Sequence, residues 1–471
     1  MKKLQKLVVL LAVLVVLVGA YFAVTYFTKD PEPIDIEEIA VFTAQPDTLS
    51  SLSWDYQGQT VTINQTEAGW VVDGQDQFPL DQGLPKVMAS RLQKLVGLST
   101  LTEFDPDPKT YGLDQPELTI RIAQTDGNTT TLSIGTYSTA VGGYYLKSDK
   151  APDKLYIVEE SLLTAFRYGL YDLVQKESLP TMSSIVGLDV QDGAAQFSVR
   201  YVEDNEDLAY TDQYSWFLVG PDGTYSIASI NKVVELVSGV AGLSWQKCVA
   251  YQAANDELAA YGLDDASAAR VTLTYLDDLG QEDEITLLFG SYDGASCYAR
   301  LQDSSMVYLV DAAIVDPLLT ANAASVAPND VCLMNWDSVD SMDVSLDGKT
   351  YTVVFEGNQK LTAIDGETAE QAVYTCNGQT LDSTAMQSLL DSIYAMKSTE
   401  TVTESASGRG EAISFTFHRN TKTYAEMTLT FYQYNSASYL VTFTDQPTRL
   451  VDSASVSTML THAKTIFSAV P

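Results

Sequence analysis

Tyr111-Gly112-Leu113-Asp114 returns 150 positions later as Tyr261-Gly262-Leu263-Asp264. A short acidic segment able to form one or two helical turns precedes each copy. After each come two alternating strands and a Tyr…Tyr…Val-(Asp/Glu) ending. The pattern predicts tandem copies of one α+β module, and it names no reaction.

Capping chemistry accounts for each position of the tetrapeptide. In the second copy Asn255 or Asp256 is the cap candidate of a helix over 257–261, and Gly262 supplies the left-handed residue that ends it. Leu258 and Leu263 stand where a Schellman motif brings two apolar side chains together. In the first copy Asp105 is the cap candidate, Pro106 fits the first helical position, and Gly112 closes the turn. The competing reading is a ligand loop in which Tyr and Asp face a sugar or peptide.

The 471 residues suffice for about three domains, and the formal charge of −35 argues against a nucleic-acid surface, which needs clustered Lys and Arg. Lys2, Lys3 and Lys6 precede an uncharged apolar run, residues 7–27, that at a helical rise of about 1.5 Å per residue covers one bilayer core. This predicts a cytoplasmic tail over 1–6, a transmembrane anchor over 7–27 and an extracytoplasmic remainder. Cleavage after Val18-Gly19-Ala20 is the rival reading. Residues 28–46 read as an acidic, proline-bearing linker.

Three repeats are expected, over 47–180, 181–335 and 336–471. In the first, a hairpin returns through Trp70-Val71-Val72, and Leu84, Val87, Met88, Leu92, Leu95 and Val96 recur at helical spacing. The second replays this with Trp216–Val219 and Ile230, Val233, Val234, Val237 and Val240. The third keeps a helix after Leu381-Asp382 and strands over 413–418 and 427–432, but Ser407-Gly408-Arg409-Gly410 lies where the tetrapeptide should be.

Residues with catalytic potential are sparse. His418 and His462 are the two histidines, and no His/Cys cluster or Gly-x-Ser-x-Gly elbow accompanies them. Asp347-Gly348-Lys349-Thr350 resembles the end of a phosphate loop, but Asp343 stands where the loop's glycine belongs, so it reads as a hairpin turn. Cys248, Cys297, Cys332 and Cys376 form no Cys-x-x-Cys pair, leaving a disulfide and buried thiols both open. The acidic runs 203–207 and 277–284 lack calcium-loop spacing. Tyrosines at matched positions, such as Tyr137 and Tyr292, read as framework. No catalytic, cofactor-binding or metal-binding residue is expected.

The lysine-flanked span, Gly69-Trp70, Tyr111-Gly112-Leu113-Asp114-Gln115-Pro116, Ile134-Gly135, Gly143-Tyr144-Tyr145 and Leu155-Tyr156-Ile157-Val158 together resemble the DUF4340 family of exported bacterial proteins. The resemblance is best over 50–170, good over 215–320 and faint beyond. It brings no catalytic residues. It implies, because family members are often encoded beside ABC-type export permeases, an extracytoplasmic accessory subunit of a transporter.

The expectation is thus an α+β protein: a transmembrane helix, then three modules of mainly antiparallel sheet with helices on one face. Its expected place is the cell membrane, single-pass, with an ABC transporter permease as possible partner and no nucleic acid. The expected role is a non-enzymatic scaffold or accessory subunit. The alternative is a surface-exposed binder of peptide or glycan using tyrosine-lined clefts. One deep tyrosine-lined cleft would favour the binder, and broad shallow repeat interfaces the scaffold.

Overall fold

The computed structural model describes residues 39–356 and 372–470. Alternation makes its strands. Glu411–Arg419 buries Ile413, Phe415 and Phe417 on one face and leaves Ser414, Thr416 and His418 on the other, the two-residue period of a strand with one face in a core. Two-residue turns join several neighbours. Asp347 and Gly348 take φ of +51° and +79°, as a tight hairpin requires, so this stretch is a turn between Val339–Leu346 and Lys349–Glu356.

Three large antiparallel sheets share one strand order. In the second, Ser184–Asp192 lies centrally, and Ala195–Tyr201, Trp216–Val219 and Tyr225–Ile227 step outward to one edge. Ala269–Leu276, Glu282–Asp293, Ser296–Leu301 and Val307–Asp311 step outward on the other side. Lys247–Ala250, formed before them in the chain, closes that far edge. The third sheet repeats this from Val339–Leu346, with Gln379–Thr380 and Glu400–Thr401 at its edges. The first, built on Leu49–Tyr56, lacks the outermost hairpin strand and ends at Gly69–Val72 and Ser99–Leu101. A fourth sheet pairs Ile39–Thr43 with Lys94–Gly97.

Several expectations are corrected here. The α+β class does not describe the chain: it is mostly antiparallel sheet, in four sheets, with few helices. The longest described helix, Ser453–Phe467, has 15 residues, and among the described residues no helix is long and apolar enough to cross a membrane. A span needs about 20 apolar residues. The described helices do not support the single-pass membrane placement, and the 7–27 stretch on which it rested lies outside the described residues. Part of the 28–46 linker, Ile39–Thr43, is a strand. The helical stripe of the first repeat also stops early. The helix ends at Gln93, and Leu95 and Val96 pair with Phe42 and Ala40, because strand hydrogen bonds there override the local period.

The chain forms two compact units, Met1–Lys176 and Glu177–Pro471. The first is centred on fully buried Trp54, whose ring meets Phe166 edge-on at 5.7 Å and whose Nε1 donates to the Tyr168 carbonyl at 2.8 Å. In the second, one apolar cluster runs through both sheets. Tyr210, Tyr214 and Phe217, from the second sheet and its 202–215 loop, pack with Phe417, Phe431 and Phe443 of the third. Tyr210 meets the Phe443 ring at 5.0 Å, and its hydroxyl accepts from the Leu333 amide at 3.0 Å.

Tyr210→Ala should lower the stability of the second unit by about 3–5 kcal/mol, the usual cost of removing a buried aromatic ring. Tyr210→Phe should cost about 1–3 kcal/mol, because the Leu333 amide then loses its acceptor. Denaturant unfolding of the two variants checks the order, and equal losses would contradict it.

Candidate functional site

The tetrapeptides sit on the framework. In the second copy the helix Asn255–Ala260 ends as Gly262 takes φ +69°, its amide donates to the Ala259 carbonyl at 3.0 Å, and the Leu263 amide donates to that of Leu258 at 2.8 Å. Leu258 and Leu263 share one apolar cluster. The start of the helix differs from expectation. Ala254 is the cap residue, and the Glu257 carboxylate accepts its amide at 3.1 Å. In the first copy a single 3-10 turn, Pro108–Tyr111, replaces the helix, with Asp107 rather than Asp105 as cap and Pro108 rather than Pro106 at the first position. Gly112 has φ +67°, and the Leu113 amide reaches the Pro108 carbonyl at 2.9 Å.

Each turn lands on a glycine of its own sheet. A Cβ on Gly290 would stand 2.2 Å from the Tyr261 carbonyl oxygen, and one on Gly135 would stand 2.0 Å from that of Tyr111. The Ser291 amide and hydroxyl donate to the Tyr261 oxygen at 2.8 and 2.9 Å. At these glycines the strand register slips, between Ile134 and Tyr137 and between Phe289 and Tyr292. The tyrosines meet the next strand: Tyr111 lies edge-on to Tyr145 at 4.9 Å, and Tyr261 lies 4.7 Å from Tyr298. Asp114 is exposed, while Asp264 accepts from the Ala266 amide at 3.0 Å. Tyr292 donates to Asp316 at 2.6 Å, and Tyr137 packs edge-on to Tyr144 at 5.2 Å.

Arg300 has no counterpart in the sequence reading. Buried in Ser296–Leu301, it donates Nε and Nη2 to the Leu263 carbonyl at 3.2 Å and Nη1 to that of Gln302 at 2.7 Å. It clamps the end of the tetrapeptide. By alternation Arg300 shares the strand face of Tyr298, opposite Cys297 and Ala299, so no local sequence signal marked its burial.

The remaining candidates are scattered. His418 meets Asp343 at 2.9 Å on a half-exposed sheet face, and His462 lies on the Ser453–Phe467 helix. Among the described residues no group of three or more His, Cys, Asp or Glu side chains is placed to hold a metal. The 203–207 run is a docking loop: Asn205 is buried and donates to the Tyr214 carbonyl, and the Thr423 hydroxyl reaches the Glu206 carbonyl. The four cysteines are buried thiols, and burial pushes the Cys297 thiol up to about 11 and the Cys332 thiol up to about 12.

A cleft of about 960 Å³ opens within the second unit, where its two sheets meet. One wall is the edge strand Tyr225–Ile227 of the second sheet, and the other is Ser398–Thr401, which includes the edge strand Glu400–Thr401 of the third. Leu208, Leu218, Val326, Pro328 and Pro447 give it an apolar lining, and Tyr424 stands among them. Tyr424 holds φ of +52° and Asp445 +58°, a conformation that costs a residue with a side chain. Arg449 lies at the base, buried, with Nη1 donating to the Asp330 carbonyl and Nε without a hydrogen-bond partner. Burial draws its pKa below the ordinary guanidinium value. The Ser398 and Thr399 hydroxyls donate to the Asn329 and Leu450 carbonyls at 3.0 and 3.2 Å instead of meeting a base.

Gly290→Ala should destabilise the second unit by about 1–3 kcal/mol or more, because the strand must move off the Tyr261 carbonyl. Alanine at Gly187, where the nearest atoms belong to side chains and lie 3.0–3.2 Å away rather than 2.2 Å, should cost less, as thermal unfolding would show. A thiol-reactive chromogenic disulfide should leave the native protein unlabelled at pH 8 and release four equivalents in denaturant, since all four thiols are buried from the reagent and the raised thiols of Cys297, Cys332 and Cys376 hold little of the attacking thiolate.

Comparison with curated proteins gives no match. A solved structure described as "Ca2+-stabilized adhesin helps an Antarctic bacterium reach out and bind ice" aligns over 84% of this chain and 89% of its own, at 9% identity and a TM-score of 0.09. A superposition that poor carries no argument. The family model described as "Domain of unknown function (DUF4340)" matches residues 70–214 and 216–411, and both stretches open on a hairpin-strand tryptophan, Trp70 and Trp216. Those matches cover most of the sequence, and with the duplicated turn seated on its glycine they establish that the chain belongs to the DUF4340 family.

Proposed function

We propose that this chain is a non-enzymatic binding scaffold that holds a polypeptide partner in the cleft of its second unit. The observation that carries the reading is the cleft itself: about 960 Å³, with an apolar lining and two sheet edges as its walls. Its size and mixed lining suit a ligand site, and the shared core beneath Tyr210 and Phe217 keeps the walls in place. This favours the binder over a scaffold of broad, shallow faces alone. Tyr225 and Tyr424 are the tyrosines lining the cleft. The Ser398 and Thr399 hydroxyls in the cleft are committed to backbone carbonyls rather than to a base. An ABC-type export permease is the partner to which the family resemblance points.

The test compares proteins that co-purify from the native host with the full-length chain and with its Ser226→Trp variant. Ser226 is exposed in the cleft, so the larger ring should fill space without disturbing the core. The expected result is a near-stoichiometric partner that the variant loses while its melting temperature stays the same. A partner retained by both, or none with either, would overturn the reading.

A further inference from the structure

We propose that the cleft takes its partner as an extended, basic peptide segment that adds as a strand to the Tyr225–Ile227 edge. This rests on the cleft being the binding site. The ladder bonds decide which way the edge amides face. The Gly220 amide donates to Thr224 at 2.8 Å, and that of Ala228 donates to Trp216 at 2.9 Å. In the antiparallel register Phe217↔Ile227, Leu218↔Ser226 and Val219↔Tyr225, the residues in step with these bonds, Thr224, Ser226 and Ala228, turn their backbone groups into the sheet. Tyr225 and Ile227 therefore turn theirs outward, at the two-residue spacing another strand matches. The opposite wall has the same character. The Val402 amide donates to Thr448 at 2.9 Å, which leaves the backbone groups of Thr401 facing away from their sheet.

Native proteins commonly guard such an edge with lysine, proline or a bulge. Tyr225-Ser226-Ile227 has none of these, and its tyrosine is 42% exposed. Strand addition takes its affinity from main-chain bonds and its specificity from alternate side chains. The charge of the cleft sets that specificity. Glu400 and Asp445 line it, and its one cation, Arg449, is buried and engaged with the Asp330 carbonyl. With −35 on the whole chain, lysine or arginine on the incoming strand is attracted and an acidic strand is repelled.

The probes are a ten-residue peptide alternating Lys and Val, its Glu–Val counterpart, and the Lys–Val peptide with its central six backbone nitrogens methylated. Each is titrated calorimetrically into the full-length chain. The Lys–Val peptide should bind, and the other two should bind at least about tenfold more weakly. Tyr225→Pro, which removes an outward amide but no ladder bond, should bind it at least about tenfold more weakly than Tyr225→Ala. Equal binding of the methylated and plain peptides, or of the acidic and basic ones, would overturn strand addition. So would no binding of the Lys–Val peptide at millimolar concentration. If the host partner is still lost from Ser226→Trp in any of these cases, the cleft reading survives. If Lys–Val binds Ser226→Trp as it binds the wild type, the cleft reading falls as well.

Discussion

Two carbonyl oxygens, those of Tyr111 and Tyr261, rest where a side chain on Gly135 or Gly290 would have to be. Each large sheet sends its chain to a far edge strand and must then bring it back to the centre. In the first two sheets the return passes through the tetrapeptide, and the carbonyl contact seats that passage on the sheet. The contact needs a left-handed glycine in the turn, a second glycine in the strand and a slip in register beside it. The third sheet lacks the tetrapeptide. Its corresponding pair, Glu426–Gln433 with Ser438–Phe443, runs without a slip, and near it the Arg409 guanidinium stacks 4.7 Å from the Tyr434 ring. In this strand pair motif and bulge are present together in the first two sheets and absent together in the third.

The second unit shows what a shared core does to surfaces. The 202–215 loop carries Tyr210 and Tyr214 into the third sheet's apolar cluster, and its acidic residues form the solvated rim of a docking element. That docking places one edge of each sheet along the same cleft. A sheet edge is a row of unspent hydrogen-bonding groups, and two of them beside an apolar lining make a site suited to backbone recognition. Three buried arginines, Arg300, Arg419 and Arg449, mark the same unit, all bonded to carbonyl oxygens. Removing one would leave those carbonyls unpaired in a low-dielectric interior, a larger effect than the loss of a surface charge.

Much of the strand pattern was legible in the sequence. Alternation in Leu118–Gln124, Ala269–Leu276 and Glu411–Arg419 announces half-buried strands, and the Asp347-Gly348 turn is a local matter of two left-handed residues. The repeated tetrapeptide marked a turn because Gly112 and Gly262 act through their own φ angles. Local preference also explains the errors. Leu95 and Val96 fit a helix by spacing and pair as a strand, and Asp105 and Pro106 fit a cap that Asp107 and Pro108 supply.

The sequence by itself therefore determined what depends on neighbours along the chain: strand alternation, tight turns and the identity of the repeated unit. Tertiary structure alone decided the landing of Tyr261 on Gly290, the burial of Arg300 and Arg449, and the meeting of Tyr225–Ile227 with Glu400–Thr401 across a cleft. Each of these joins residues distant in sequence through contacts that no local period or propensity encodes. A binding site walled by the edges of two sheets exists only once both have folded and shared a core.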